Sequence, residues 1–253
     1  MEEFLIVDQT RKNNFTNDYG ITRKNFRCLE INITTNGSWM KSIKEKAEKI
    51  EGRLNAGQAN TSGKRDKKTI KIDNLSGVIA EYACETVLRT YLGKDMVEKP
   101  AAETSRNQID IVLAEGKKTI EVRSSCVRNG IDFALFAKPK YKKEGQYIDV
   151  IGPYSNGYKP GEIEKDYYMR VIYCCEKKSF LSLLEQAVLT LYITGGATNS
   201  MMNDSSIYQI KHLVPAGSEV EVESDYRVIP LGKSLDIVDF ISKMKCECVN
   251  KSL

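Results

Sequence analysis

The sequence predicts an α/β domain in which a mixed central β-sheet is flanked by helices. Segments with the 3.6-residue period of an amphipathic helix occur near both ends of the chain and in its middle, with strand-like segments between them. Two of the strand-like segments flank a turn signal, which predicts a hairpin. The 253 residues, 41% of them hydrophobic, suffice for the core of one large domain or two small ones.

Four helices are predicted from the spacing of apolar residues and from capping residues. We expect one to follow the turn at Asn36-Gly37-Ser38 and one to run from about Leu75 to Leu92, with Gly93 as its stop. We expect a third from about Lys178 to Ile193, ended by Gly195-Gly196, and a fourth from Ser234 through Met244.

Strands are predicted where short apolar-rich runs are bounded by turn residues. The polar, glycine-containing segment Gly57–Lys68 is typical of a loop, so we place a boundary there between an N-terminal accessory region, residues 1–70, and a core domain, residues 71–253. The predicted strands are Asn107–Ala114, Lys117–Ser124, Phe133–Ala137, Tyr147–Ile151, Tyr167–Cys174, Glu219–Glu223 and Arg227–Ile229.

Composition excludes several classes of function. No apolar run is long enough to cross a membrane, and Met1-Glu2-Glu3 lacks the basic and apolar parts of a signal peptide, so we expect a cytoplasmic protein without membrane partners. The seven cysteines form no C-x-x-C pair, and His212 is the only histidine. A structural zinc site is therefore not expected, and His212 is interpreted as a strand residue without a catalytic task.

The predicted hairpin brings charged residues together. If Glu115-Gly116 is a two-residue turn, Val112 faces Thr119 and Asp110 faces Glu121 across the strands. Directly opposed side chains have Cβ atoms about 4.5–5.5 Å apart, where two carboxylates repel each other unless a cation lies between them. Because alternate strand residues share a face, Arg123 joins this pair, while Ile120 and Val122 point into the core. Two acids and a cation on one surface are typical of a magnesium-dependent phosphodiesterase centre.

The segment from Asp110 through Glu121-Val122-Arg123 resembles the D-x(n)-E-x-K motif of the PD-(D/E)XK, or restriction-endonuclease-like, nuclease superfamily. Gly77-Val78-Ile79-Ala80-Glu81 resembles the acid-bearing helix that precedes this hairpin in many members. The resemblance covers roughly residues 75–175. It implies a restriction-endonuclease-like core, and it implies that Mg²⁺, or Mn²⁺ in its place, binds Asp110, Glu121 and the Val122 carbonyl.

By the same resemblance, Glu81 is an accessory ligand and Arg123 is the transition-state cation. The chain departs from the pattern at Arg123, where the family has lysine. Arginine keeps the positive charge but cannot act as a base, because its pKa lies above about 12. Two readings therefore stay open at the sequence level. The first is an active endodeoxyribonuclease, expected to be of the type II restriction type, with a junction-type or repair nuclease as the alternative. The second is a catalytically weak or inactive DNA-binding module that retains the nuclease fold.

Structural explanations also stay open for individual residues. Asp110 is alternatively a solvent-facing strand acid, and Glu121 and Arg123 are alternatively a surface ion pair. Glu81, Glu85 and Arg89 have the spacing of a salt-bridged helix face, which we favour for the last two.

Double-stranded DNA is the expected partner, although the net charge of +4 is only mildly basic. We expect its backbone to lie against Ser124 and Ser125, just beyond the motif, and against a lysine cluster of Lys138, Lys140 and Lys142. A homodimer is expected by analogy with nucleases that cut both strands.

Overall fold

The computed structural model describes residues 4–9, 12–17, 20–25, 27–33, 38–51, 66–98, 100, 109–127, 149–155, 163–212 and 225–249. These residues form an α/β fold with a mixed central sheet, as the sequence predicts. The strands are β1 Phe4–Gln9, β2 Lys12–Asn17, β3 Gly20–Asn25, β4 Cys28–Ile33, β5 Val97–Glu98, β6 Ile111–Leu113, β7 Thr119–Val127, β8 Asp149–Tyr154, β9 Tyr167–Glu176, β10 Leu189–Thr198, β11 Gln209–His212, β12 Asp225–Pro230 and β13 Leu235–Asp236. The helices are α1 Ser38–Glu51, α2 Lys67–Leu92, α3 Phe180–Glu185, α4 Asn199–Met202 and α5 Ile237–Val249.

The central sheet has the strand order β1-β4-β10-β9-β7-β6-β5, with β13 paired to β10. It is mixed because β7 and β9 run parallel, whereas the other described strand pairs are antiparallel. A second sheet has the order β11-β12-β8, and β2 pairs with β3 in a separate hairpin.

Two apolar clusters place the layers on either side of the central sheet. One contains Ile120, Met169 and Leu191 from the sheet together with buried residues of α1, α2 and α5. The other contains Tyr168 and Ile172, which alternate with the first set along β9, and it includes Val150 of β8 and Ile229 of β12. Helices therefore cover one face of the central sheet, and the second sheet covers the other.

Helix α2 begins earlier than the apolar pattern predicts. It starts at Lys67 rather than near Leu75, because Asp66 caps it by accepting the Thr69 N–H at 2.6 Å. Its C-terminal end at Leu92, followed by Gly93, agrees with the prediction. The hydroxyl of Tyr173 on β9 donates to the Ser76 carbonyl at 2.6 Å, which fixes the helix against the sheet.

The N-terminal part of the chain contributes to the same sheet and core. Strand β4 pairs with β10, and α1 packs on α2. The α1 residues Met40, Ile43 and Ala47 are buried and join the helix-side cluster, and Ile43 and Ala47 are among the apolar residues whose spacing predicts this helix. The division of the chain near residue 70 stays a prediction about the sequence.

The predicted helix from Lys178 to Ile193 is wrong. The helix there is α3, which ends at Glu185, and the chain then enters β10 through Ala187, which has a positive φ of 58°. Strand β10 lies between β4 and β9 and is buried almost throughout its length. A strand covered on both faces has a continuous apolar run, which periodicity does not distinguish from a buried helix.

Gly195 and Gly196, predicted to end that helix, instead allow close strand packing within β10. A Cβ on Gly195 would lie 2.3 Å from the Leu235 carbonyl oxygen, and one on Gly196 would lie 2.0 Å from the Tyr168 carbonyl oxygen. Gly195 also has a φ of +106°, which side-chain-bearing residues rarely adopt. Both glycines are therefore required where β10 meets β13 and β9.

The remaining strand and helix predictions agree with the structure to within a few residues wherever it describes them. The predicted strands at 147–151, 167–174 and 227–229 correspond to β8, β9 and β12, and the last predicted helix corresponds to α5. His212 ends β11, as its strand-like surroundings predict. The predicted strands at 133–137 and 219–223 lie outside the described residues. Among the helices of the described ranges, none combines the length and apolar character needed to cross a membrane.

Candidate functional site

The hairpin β6–β7 has the predicted register but a different turn. Val112 pairs with Thr119 and Ile111 with Ile120, and the Leu113 N–H donates to the Lys118 carbonyl at 2.8 Å. The turn uses the four residues from Ala114 to Lys117 rather than two, with positive φ at Gly116 and Lys117. Since the register is unchanged, the start of β6 still lies beside Glu121 and Val122 on β7.

Asp110 immediately precedes β6 and is bound to β7 through its side chain. Its Oδ2 accepts the N–H of Val122 at 2.7 Å. Burial raises the pKa of Asp110 well above the ordinary value of an aspartate, and the carboxylates of Glu121 and Glu81 raise it further. The Val122 N–H and the charge of Arg123 act in the opposite direction without reversing the shift. Burial and the two neighbouring carboxylates therefore both disfavour the charged form of Asp110, and together they outweigh Arg123.

Glu121 and Arg123 form an ion pair along β7. The Nη2 of Arg123 lies 2.9 Å from Oε1 of Glu121, as expected for residues that share a face of a strand. Ile120 is fully buried in the helix-side core, and Val122 packs against that core. On the neighbouring strand β9, Nη1 of the buried Arg170 donates to the Arg123 carbonyl at 3.1 Å. The backbone that carries Arg123 is thus held by a second arginine.

Glu81 extends from the middle of α2 toward the same group of charges. Its pKa is raised by burial and by the carboxylates of Glu121 and Glu85, while Lys46 of α1 acts against this shift. The Nζ of Lys46 lies 2.6 Å from Oε2 of Glu81. Glu81 therefore interacts with the charges around Asp110 as well as with Glu85 on its own helix.

Glu85 and Arg89 form the helix-face ion pair that their spacing predicts. The Nε of Arg89 lies 2.9 Å from Oε1 of Glu85, and the Nη1 of Arg89 donates to the Lys94 carbonyl near the end of the helix. This pair has a structural explanation and is not included in the candidate site.

We call Asp110, Glu121, Glu81, Arg123 and Lys46 the carboxylate cluster. Its donor chemistry suits Mg²⁺ or Mn²⁺, because such ions bind through one or two carboxylates and keep the remaining positions for water and substrate phosphate. Within the described residues, no set of three or more His, Cys, Asp and Glu side chains is arranged to hold a metal ion. Glu121 and Glu81 are each held by a cation, so an arriving ion would compete with Arg123 and Lys46 for these two carboxylates.

A buried thiol lies close to the carboxylates but does not suit catalysis. Burial raises the pKa of Cys84 well above the ordinary thiol value, and the charges of Asp110 and Glu81 raise it further. A thiol that keeps its proton is a poor nucleophile. Cys84 is fully buried and belongs to the helix-side apolar core.

The predicted DNA contacts are described only in part. Ser124 and Ser125 follow Arg123 on β7, where they pair with Val171 and Ile172 of β9 and are half-buried. The predicted lysine contacts Lys138, Lys140 and Lys142 lie outside the described residues.

Two members of this region were not found by sequence reasoning. Lys46 precedes Glu81 by 35 positions, and no sequence signal connects the two residues. Arg170 did offer a signal, because it is a charged residue inside the otherwise apolar run of β9.

Comparisons of the chain with protein-family models, with curated proteins and with solved structures found no match.

Proposed function

We propose that this chain is a Mg²⁺-dependent endodeoxyribonuclease that hydrolyses phosphodiester bonds of double-stranded DNA, with a restriction-endonuclease-like core of the PD-(D/E)XK type. The observation that carries the proposal concerns Asp110. Its carboxylate accepts a hydrogen bond from Val122, inside the Glu121-Val122-Arg123 motif, while its pKa is raised by burial and by Glu121 and Glu81. A divalent cation relieves this excess of negative charge.

The arrangement of the elements supports the same proposal. Strand β7 carries the motif, pairs with β6 in the hairpin and with β9 in parallel, and contacts α2, which carries Glu81. This is compatible with the motif order that the resemblance implies, in which an acid-bearing helix precedes an acid-bearing hairpin. We expect a restriction-type enzyme that acts as a homodimer, with one centre for each DNA strand.

In this proposal Asp110 and Glu121 would hold the ion together with the Val122 carbonyl, and Glu81 would contribute directly or through water. An ion held there would acidify a bound water and neutralise charge on the phosphate. Arg123 binds a phosphate oxygen and stabilises the negative charge of the transition state, a role that needs a cation and no base.

Incubation of supercoiled plasmid with the purified protein in Mg²⁺ or Mn²⁺ tests the proposal. We expect metal-dependent nicking or linearisation by the wild type and its loss in Asp110→Ala. Asp166→Asn is the matched control, because Asp166 also accepts an N–H of β7, that of Thr119 next to the hairpin turn, but forms its ion pair with Lys118 outside the carboxylate cluster. Cleavage that Asp110→Ala leaves unchanged contradicts the site, and linear product formed without a nicked intermediate supports paired centres.

The second candidate is a DNA-binding module that retains the fold without turnover. It is favoured by the ion pairs of Glu121 with Arg123 and of Glu81 with Lys46, which satisfy both carboxylates without a metal. DNA binding in a gel-shift assay without cleavage, across linear duplexes, four-way junctions and damaged duplexes, selects this candidate. Cleavage confined to junctions or to damaged DNA instead selects a junction-type or repair nuclease.

A further inference from the structure

Lys46 brings a second cation to the carboxylate cluster from a distant part of the sequence. It lies on α1, which packs against α2, and its Nζ is 2.6 Å from Oε2 of Glu81. The Lys46 side chain is 56% exposed, whereas the Glu81 side chain is only 15% exposed. Lys46 therefore meets the cluster from the solvent side, which is the direction from which a substrate arrives.

The two cations of the cluster differ in freedom and in chemistry. Arg123 is bound to Glu121 on its own strand, its side chain is 27% exposed, and Arg170 holds its carbonyl. Lys46 has a longer exposed stem and a compact ammonium with three donors. Such an ammonium can reorient toward a phosphate oxygen as negative charge develops on that oxygen. The planar guanidinium of Arg123, which is held by its neighbours, can do so less readily.

The pairing with Glu81 also provides a reason for Lys46 to move. A divalent cation bound at the cluster would attract the Glu81 carboxylate and would so weaken the Glu81–Lys46 ion pair. The Lys46 ammonium would then be available to a phosphate oxygen of a substrate bound there.

We propose that Lys46 is a catalytic residue of this centre, which exchanges Glu81 for a non-bridging oxygen of the scissile phosphodiester. This inference rests on the proposed nuclease function. Water adds to phosphorus, and the bond from phosphorus to the leaving sugar oxygen breaks with its electron pair on that oxygen. The leaving oxygen and the attacking water exchange their protons with solvent, and Lys46 stays protonated throughout. It donates hydrogen bonds to the charge that develops in the transition state.

The test uses three variants of the full chain. Lys46→Met removes the charge and keeps the apolar stem, Lys46→Arg keeps the charge, and Lys44→Ala removes a neighbouring exposed lysine of α1 as a control. Single-turnover cleavage of a DNA duplex is measured in Mg²⁺, and Mn²⁺ affinity is measured without DNA by isothermal titration calorimetry. Thermal melting confirms that each variant is folded, and Lys46→Arg supplies a folded comparison at the same position.

We expect Lys46→Met to slow cleavage about 100-fold, the usual cost of removing one donor to the transition state, with a Mn²⁺ Kd no weaker than that of the wild type. Lys46→Arg should recover more than half of that loss on a logarithmic scale, and Lys44→Ala should cleave normally. A fall of less than tenfold in Lys46→Met overturns the proposal. A Mn²⁺ Kd that weakens in parallel with cleavage also overturns it, because Lys46 then only holds Glu81. Absence of cleavage by the wild type rejects the nuclease function itself, and Lys46 with it.

Discussion

Asp110 and Asp166 both bind strand β7 through a backbone N–H, yet their electrostatic surroundings are opposite. Asp110 accepts from Val122 at 2.7 Å, and Asp166 accepts from Thr119 at 2.9 Å. Asp166 also binds the Lys118 ammonium at 2.6 Å and the Thr119 hydroxyl at 3.1 Å. Asp110 lies instead among other carboxylates.

The pKa values of the two groups express this difference. Partial burial acts to raise the pKa of Asp166, but Lys118 and the two donors of Thr119 outweigh it and hold the pKa below its ordinary value. For Asp110, burial and like charge act together and raise the pKa. The same kind of backbone hydrogen bond thus occurs in two settings. The Asp166 carboxylate is balanced by Lys118 and ties β7 to the start of β9, whereas the Asp110 carboxylate lies near other carboxylates at a candidate metal site.

The largest expected difference between the two aspartates is in catalysis. Asp110→Asn should reduce Mg²⁺-dependent DNA cleavage about 100- to 1000-fold, because the amide keeps the acceptor for Val122 but loses the charge that binds the ion. Asp166→Asn should cleave within about threefold of the wild type, since no metal role is assigned to it. The initial cleavage rates of the two variants are measured on the same plasmid substrate. Equal losses of cleavage rate in Asp110→Asn and Asp166→Asn would contradict the different roles assigned to the two aspartates.

Metal binding should also distinguish Asp110→Asn from Asp166→Asn, by a smaller free energy than catalysis does. At a Mn²⁺ concentration about 100 times the Kd, binding to the native state raises the free energy of unfolding by about 2.7 kcal/mol. For a chain of this size, that corresponds to a rise of about 5–10 °C in melting temperature. We expect this rise in the wild type and in Asp166→Asn, measured by differential scanning fluorimetry. A comparable rise in Asp110→Asn contradicts the assignment of Asp110 as a ligand.

Loss of the Asp166 carboxylate should destabilise the fold. Asp166→Ala removes two hydrogen bonds from Thr119 and the ion pair with Lys118, and we expect a loss of about 1–2 kcal/mol because the site is about one-third exposed. A lowered folded pKa contributes stability above the unfolded value, near pH 3.9, and this contribution disappears as the pH falls through the folded pKa. Urea unfolding at pH 6 and pH 3 should therefore show a larger difference between variant and wild type at pH 6.

The smallest predicted effect is a gain in the free energy of unfolding, whereas Asp166→Ala is expected to lose stability. Without metal, Asp110→Asn should be about 1 kcal/mol more stable than the wild type at neutral pH, because it removes a charge from among Glu121 and Glu81. A raised folded pKa contributes stability at pH values below the unfolded pKa, and this contribution is lost as the pH rises through the folded pKa. Urea unfolding at pH 8 and pH 4 should show the gain of the variant at pH 8 only. A variant that is less stable at pH 8 contradicts the excess of negative charge.

The local part of the site could be predicted from the sequence because a hairpin joins residues that are close along the chain. The register of Val112 with Thr119 followed from the turn position, and it remained correct although the turn has four residues. The positive φ at Gly116 and Lys117 accommodates those extra residues without moving the strands. A hairpin's register thus depends less on the turn type than on the pairing of Ile111 with Ile120, both of which are buried.

The non-local part could not be predicted in the same way. The approach of Lys46 to Glu81 depends on how α1 crosses α2, which apolar spacing does not determine. The apolar pattern of strand β10 predicts a helix because apolar layers on both faces of the central sheet bury the strand almost throughout, which removes the alternation that identifies a strand.

The position of β10 between β4 and β9 also sets an order of events during synthesis. Thr190 of β10 bonds Asn32 of β4 at a separation of 158 residues, and Tyr192 bonds Glu30 at a separation of 162. At about 5–20 residues per second, the N-terminal strands wait roughly 10–30 s for their partner to leave the ribosome. During that interval β4 exposes an apolar edge, and closing so long a loop slows folding. The nascent chain therefore has an aggregation-prone period that ends only when β10 enters the sheet.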